Sequence, residues 1–294
     1  QQEPRIVSNL CLFWPVNWPL LQRRGSIVTP MATVPVRVEL PRVMFGTSTL
    51  GNLYAEVSHE EKLGVVKKVV ETLPAGAIMF DSAGKYGAGL ALEELGKCLK
   101  ECGVRPQDVL ISNKLAWKRA PLSAPGAEPT FEPGVWKGLK HDAVQDISYQ
   151  GMLDCYKDGN ALLGDYSATE VSVHDPDEYL DAAKDAADLD VRRENVLGAY
   201  RALRELKEAG KVRSIGVGAK NCTAIEWISD ALEAQGWQLD WAMFACSVTV
   251  KSHSEMAQRL LQKLAKRGVA VINSAVFNGG FLIGGKNFYY REPT

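Results

Sequence analysis

Three observations predict an α/β fold of the parallel (β/α)8 TIM-barrel type, with about seven β/α units present and the eighth missing. Short apolar or β-branched runs alternate with amphipathic helical stretches from residue 43 onward. Strands separated by helices in this way are parallel and joined by right-handed crossovers. The turn after the first strand reads Gly46-Thr-Ser-Thr-Leu-Gly51, which is not the G-x-G-x-x-G pattern of an open dinucleotide-binding sheet. Setting aside residues 1–30 and a Pro-rich insertion, the length leaves room for roughly seven units of a fold that typically needs about 250 residues.

The elements follow in order. Val43–Ser48 reads as the first strand. Ser58-His-Glu-Glu61 is a capping box, and Leu63, Val66, Val70 and Leu73 then repeat at helical spacing until Pro74 and Gly76 stop the helix. Ala77–Phe80 is the second strand, Leu90–Cys102 the second helix with Leu92, Leu95 and Leu99 on one face, and Val109–Ser112 the third strand. At about 118–148 the rhythm breaks into a stretch holding Pro121, Pro125, Pro129, Pro133 and Trp136. Because alternation resumes beyond it, this is an insertion within one domain and not a linker. It reads as a variable loop whose aromatics pack on the barrel rim, with a substrate lid as the alternative. Tyr149–Leu163 is the third helix, Thr169–His174 the fourth strand, Asn195–Gly210 the fourth helix and Val212–Val217 the fifth strand. Thr223-Ala-Ile-Glu226 caps the fifth helix, Trp241–Val250 is the sixth strand, Met256, Leu260 and Leu264 mark the sixth helix, and Val269–Val276 is the seventh strand. Residues 278–294 hold neither a full helix nor an eighth strand. Lys62, Lys67 and Lys68 read as a solvated helix face.

The chain of 294 residues is 46% hydrophobic and 23% charged with a net charge of −1, so general attraction to nucleic acid or to an acidic membrane surface is not expected. Its six cysteines are scattered without zinc-ligand spacing, which implies no metal site and a reducing, cytoplasmic setting. Residues 1–30 differ from the rest. The apolar run Leu10–Leu21 is too short to span a bilayer, and Arg23 and Arg24 follow it instead of preceding it, unlike a secretory signal. Met31 is the expected natural start, with residues 1–30 an extension outside the fold and 31–294 a single barrel domain.

Function in such barrels sits at the carboxyl ends of the strands. There the second strand ends in Asp81-Ser-Ala-Gly-Lys-Tyr86-Gly87, the third in Ser112-Asn-Lys114 and the fourth in His174-Asp175. Singly, such a Lys is usually a solvated charge, such a His a structural hydrogen bonder, Asp81 a turn cap and Tyr86 packing under a loop. Jointly, they put an acid, a phenol, an ammonium and an imidazole on one rim. Among known families the pattern resembles the aldo-keto reductases, whose Asp, four intervening residues and Tyr-Gly correspond to Asp81, Tyr86 and Gly87, and whose Lys and His correspond to Lys114 and His174. Gly46 with Leu50-Gly51-Asn52-Leu53-Tyr54, Ile215-Gly-Val-Gly218, and Val276-Phe-Asn278-Gly-Gly280-Phe-Leu282 are similar to the D-threo-aldose 1-dehydrogenase (L-fucose/galactose dehydrogenase) group. The resemblance spans about residues 40–285.

The resemblance implies an NAD(P)-dependent oxidoreductase acting on a small-molecule sugar or carbonyl, with Asp81, Tyr86, Lys114 and His174 catalytic. The cofactor, NADP or NAD, would be held by Gly46, Thr47, Asp81, Asn221, Ser247, Phe277, Asn278, Gly280 and Leu282. The chemistry is physically coherent. A free phenol has a pKa of about 10, and a nearby ammonium favours the phenolate. Lys114 supplies that charge and Asp81 holds Lys114 by pairing with it. His174 orients the substrate oxygen, and Tyr86 acts as general base for oxidation of an aldose at C1 to a lactone, or as general acid for carbonyl reduction. Three features depart from the family. Val248 stands where an aromatic would stack on the nicotinamide, Lys220 stands where the Asn after the fifth strand belongs, with Asn221 next, and no eighth unit carries the adenosine-phosphate loop. With two strand edges exposed, the chain is therefore expected to bind NAD(P) weakly or not at all unless something covers the gap. A non-catalytic or cofactor-deficient binding or regulatory protein on the same scaffold is the competing expectation.

Overall fold

The protein is described by a computed structural model covering residues 10–13, 38–74, 76–249, 251 and 253–288. Met31, the expected start, lies outside the described residues. Seven parallel strands stand side by side in the order β1 (Val43–Gly46), β2 (Ile78–Ala83), β3 (Val109–Leu115), β4 (Glu170–His174), β5 (Ser214–Ala219), β6 (Trp241–Ala245) and β7 (Ala270–Ser274). Around them pack α1 (His59–Thr72), α2 (Leu90–Glu101), α3 (Tyr149–Leu163), α4 (Ala186–Glu208), α5 (Cys222–Ala234) and α6 (Glu255–Lys266). Among the described residues this is the expected barrel with one β/α unit lacking. Most of its strands are buried along their whole length, β2, β4, β5 and β7 at every residue, which is why they read as continuous apolar runs and not as alternating ones.

The missing unit does not leave the two sheet edges bare. The strand Leu10–Phe13 runs antiparallel to both β1 and β7, pairing Leu10 with Phe45 and Leu12 with both Val43 and Asn273, and the ring of strands closes. The expected exclusion of residues 1–30 from the fold therefore fails for Leu10–Phe13. An open seam of unpaired N–H and C=O groups between two strands is a template for any extended segment, and this apolar run fills it.

Two apolar layers position the site. The outer one lies between strands and helices, where Leu92, Leu95 and Leu99 of α2 are fully buried with Ile111, Val171 and Val217. The inner one plugs the lumen with Met44, Met79, Trp241, Met243 and Ile272. Trp241 fits because Gly216 has no side chain; a Cβ there would stand 2.2 Å from the indole. Helix starts follow the capping residues: the Ser58 hydroxyl accepts from Glu61 N, while the Glu61 carboxylate accepts from Ser58 N.

Several boundaries differ from the sequence reading. The fourth helix begins at Ala186, capped by Asp185, because a polar first half hides the periodicity. The sixth strand stops at Ala245, where Cys246 turns with φ 59°. Lys62 is buried and not solvated, lying near Glu94 and Cys98. The insertion contains an antiparallel hairpin, Trp117–Ala120 against Asp142–Gln145, and a short helix Pro176–Asp181 follows β4.

Candidate active site

The carboxyl ends of the strands surround a cavity of about 810 Å3, counting its open mouth. Asp81, Tyr86, Lys114 and His174 all line it. Asp81 and Lys114 face each other because β2 and β3 run in parallel register, with Asp81 beside Ser112 and Ala83 beside Lys114. The Lys114 ammonium donates to Asp81 Oδ2 at 2.5 Å and to the Ser82 carbonyl at 3.2 Å, and the Ser112 hydroxyl donates to Asp81 Oδ1 at 3.1 Å. Both charged residues are 2% exposed or less, so the pair is dry and fixed. Lys114 Nζ lies 4.6 Å from the centroid of the Tyr86 ring. Across the same mouth the His174 ring meets Tyr86 edge-on, with centroids 5.8 Å apart.

Close backbone contacts hold Tyr86 in place. A Cβ on Gly51 would sit 2.7 Å from the Tyr86 carbonyl carbon, and one on Gly87 2.3 Å from the Gly51 carbonyl oxygen. The Leu50-Gly51-Asn52 motif is thus a seat for the tyrosine loop. Gly218 does the same for Lys114, whose Cδ would meet a Cβ at 2.9 Å.

The imidazole of His174 is neutral. Burial drives its pKa well below the ordinary value, and Lys114, Lys85 and Lys220 push the same way against Asp175. Its Nδ1 is buried without a hydrogen-bond partner and its Nε2 is 3.7 Å from Asp175 Oδ2. A neutral ring offers one donor and one acceptor, and an unsatisfied buried nitrogen is costly unless something else uses it.

A second charge cluster, not foreseen from sequence, adjoins the first. Lys85, only 3% exposed, donates to Asp175 at 2.7 Å and Glu178 at 3.1 Å and pairs with Glu132 at 2.9 Å. Burial disfavours the Lys85 ammonium, but the three carboxylates outweigh it and hold its pKa above the usual lysine range. Burial likewise opposes the Asp175 carboxylate, but the Lys85 and Lys220 ammoniums outweigh it and hold its pKa well below the usual range. Asp175 is in the left-handed region at φ 50°. Lys220 pairs with Glu178 at 2.5 Å and also lines the cavity. The available signal was adjacency: Lys85 precedes Tyr86, and Asp175 follows His174.

The cofactor-binding candidates divide. Gly46 and Asp81 are on the cavity wall. Thr47 is buried beside it, its hydroxyl donating to the Asp81 carbonyl at 3.1 Å. Asn221, Ser247, Phe277, Asn278, Gly280 and Leu282 are not among the lining residues. Asn221 caps α5, its side chain accepting from Thr223 N, and the Ser247 hydroxyl donates to the Lys220 carbonyl at 2.6 Å. Phe277 to Leu282 form a hydrogen-bonded turn after β7, closed by the Leu282 and Gly280 amides on the Phe277 carbonyl. Val248, expected from the sequence to replace a stacking aromatic, bridges to His253.

The profile of the Aldo/keto reductase family matches residues 42–292. A pyridoxal 4-dehydrogenase of Microbacterium luteolum is 31% identical over 249 residues, covering 81% of this chain and 67% of that protein. A D-threo-aldose 1-dehydrogenase of a Pseudomonas species is 25% identical over 260 residues, covering 86% and 71%. Among solved structures, an aldo-keto reductase of Bacillus halodurans in its holo form superposes with a TM-score of 0.54 at 20% identity, covering 87% of this chain and 65% of its own. A glycerol dehydrogenase of Gluconobacter oxydans gives 0.53 at 15%, covering 82% and 60%. The two structures share the fold, and this chain spans about two thirds of the length of such relatives.

Proposed function

The chain belongs to the aldo/keto reductase family, and from that premise we propose that it is an NAD(P)-dependent oxidoreductase that oxidises an aldose at C1 to the lactone, or runs the reverse carbonyl reduction, with Tyr86 as general acid/base. The observation that carries the reading is the grouping on the cavity wall: a fixed ammonium 4.6 Å from the centre of the phenol ring, and an imidazole edge-on to that ring at 5.8 Å.

The wall around these groups suits the nicotinamide end of NADP or NAD. Gly46, Gly218, Ala219, Ala245, Ser274 and Ala275 line the cavity, all small, so a flat ring meets little steric opposition beside Tyr86. The dinucleotide, when bound, supplies the hydride acceptor or donor. The protein does the rest. The Lys114 ammonium, locked by Asp81, stabilises negative charge as it develops on Tyr86. Tyr86 takes the proton of the C1 hydroxyl during oxidation and returns it during reduction. His174, neutral and with an unsatisfied nitrogen, holds the substrate oxygen in line with Tyr86. The buried Asp81–Lys114 pair keeps its geometry because neither group has water to relax into.

Both curated relatives are named for dehydrogenation, one of an aldose and one of pyridoxal; the proposal takes the aldose, on the motifs around Gly46 and Gly218. Among the described residues, Cys98, Cys102, Cys155, Cys222 and Cys246 form no disulfide, which supports a cytoplasmic setting. No helix among the described residues is long and apolar enough to cross a membrane.

Tyr86→Phe tests the reading. Loss of the phenol proton is expected to lower kcat by about 10²–10⁴-fold while far-UV circular dichroism and cofactor binding stay unchanged. A variant that turns over aldose as fast as the wild type would remove Tyr86 from the chemistry, and a wild type without aldose turnover would favour a non-catalytic scaffold.

A further inference from the structure

The insertion at 118–148 does more than decorate the rim, for it puts Glu132, Val135 and Trp136 on the cavity wall. Its placement is rigid. The Tyr54 amide donates to the Val135 carbonyl at 2.9 Å, the Lys137 amide to the Asn52 carbonyl at 3.1 Å, and the Asn52 side chain to the Lys137 carbonyl at 3.0 Å. On its other flank, Arg119 donates to the Ala88 carbonyl at 2.8 Å and to Glu93 at 3.1 Å. Trp136 is buried between Phe131 and Tyr86, with ring centroids 6.3 and 5.8 Å away. These bonds make the segment a fixed wall.

Glu132 is the polar group this wall presents. Its Oε1 is 2.9 Å from the buried Lys85 ammonium and its Oε2 accepts from Trp136 Nε1 at 2.7 Å. Each oxygen therefore has one partner from the protein, and a carboxylate has about four acceptor positions. The side chain stays one-third exposed at the cavity mouth. Its backbone is at φ 46°, in the left-handed region, although the residue precedes Pro133. A non-glycine residue is strained there and persists where the surroundings over-determine it, characteristically at ligand sites. Strain, two fixed donors behind the carboxylate and an aromatic floor beside it are unneeded for merely neutralising Lys85, which already has Asp175 and Glu178.

We propose that Glu132 is a specificity-determining residue, accepting a hydroxyl hydrogen bond from a polyhydroxylated substrate whose C1 lies at Tyr86. The inference rests on the function proposed above and deepens it: Lys85 and Trp136 aim the carboxylate, and substrates without hydroxyls beyond the reacting carbon gain nothing from it. A fixed acceptor of this kind selects sugars over simple aldehydes, since the analogue lacking the donor leaves it unmatched.

The test compares the 294-residue chain with Glu132→Gln and Trp136→Phe. L-fucose and propanal are the two substrates, each assayed with NAD and NADP in the matching direction, and L-fucose binding is also followed by calorimetry. Loss of one hydrogen bond to a charged group is expected to lower kcat/KM for L-fucose by about tenfold to a hundredfold, through KM more than kcat, and to weaken L-fucose binding by a similar factor. Turnover of propanal is expected to stay within threefold. Equal losses on both substrates would show that Glu132 only braces Lys85 and would overturn the inference, as would no loss on either. Trp136→Phe, which keeps the carboxylate but removes one of its fixed donors, should give the same selectivity to a smaller degree. If the wild type turns over neither substrate, the oxidoreductase proposal fails by itself, and calorimetry still decides on Glu132: L-fucose binding that is absent, or unchanged in Glu132→Gln, overturns it.

Discussion

Gly218→Ala is the substitution whose effect the structure lets us work out most fully. The added Cβ would stand 2.9 Å from Lys114 Cδ, 3.7 Å from its Cγ and 4.0 Å from the Ser172 hydroxyl. Carbon atoms settle at about 3.5–4.0 Å, so the lysine stem has to give by roughly 0.6–1.1 Å. It has little freedom to do so, because its ammonium is held at 2.5 Å by Asp81 and at 3.2 Å by the Ser82 carbonyl, and the residue is almost wholly buried. Overpacking of this sort costs about 1–3 kcal/mol, a fall in Tm of several degrees for a domain of this size. Whatever strain is relieved comes from moving Nζ away from its place over the Tyr86 ring. A misplacement of about 1 Å in a catalytic group costs on the order of a hundredfold in rate. We expect kcat to drop tenfold to a hundredfold with KM for the sugar nearly unchanged, because Lys114 acts on Tyr86. Gly216→Ala is the control: its Cβ would lie 2.2 Å from the rigid, buried indole of Trp241, so it should lower Tm further without a selective effect on kcat. Steady-state kinetics and thermal unfolding on the two variants suffice. A Gly218→Ala enzyme with wild-type kcat and Tm would refute the reasoning, since the lysine stem would then not be confined as described.

Two predictions concern pH and stability. Burial raises the Glu170 carboxyl above the ordinary carboxylate value, against the opposing pull of Ser214, whose hydroxyl donates to it at 2.5 Å, and of Arg213. The folded chain then holds this proton more tightly than the unfolded one, so stability falls as pH rises from about 4.5 through the raised value. Glu170→Gln should flatten that slope and be relatively more stable above it, measured by urea unfolding at pH 4 and pH 7; an unchanged slope contradicts the assignment. His59, by contrast, gains a proton on folding: hydrogen bonds from its ring to Glu94 at 2.8 Å and Glu101 at 2.9 Å raise its pKa. That stability is present in full below pH 6.5 and is lost as pH rises through the raised value. With the ring 41% exposed, solvent screens it, and His59→Gln should cost no more than about 1 kcal/mol at pH 6, with the difference shrinking at higher pH. A constant difference between pH 6 and 9 would place the effect in packing.

Local patterns in the chain determined the elements of the barrel. Continuous apolar runs such as Ile78–Phe80 are strands because a sheet buried on both faces asks nothing polar of them, and Ser58 with Glu61 marks a helix start because the bonding is confined to four residues. The strand ends carrying Asp81, Lys114 and His174 could be named for the same reason: once parallel strands are recognised, their carboxyl ends share one rim. What only tertiary structure decided were the contacts between distant segments. Nothing in Leu10–Phe13 says that it will lie between Val43–Gly46 and Ala270–Ser274, since an apolar run pairs with whatever edge is free. Lys62 looked solvated on its helix and is buried by a neighbouring one. Lys85, Glu132, Asp175 and Glu178 come from three separate parts of the chain, and each alone is an ordinary surface charge. Their meeting fixes which are buried, which stay ionised and which face the cavity, because electrostatic energy depends on distances through space that sequence separation does not encode.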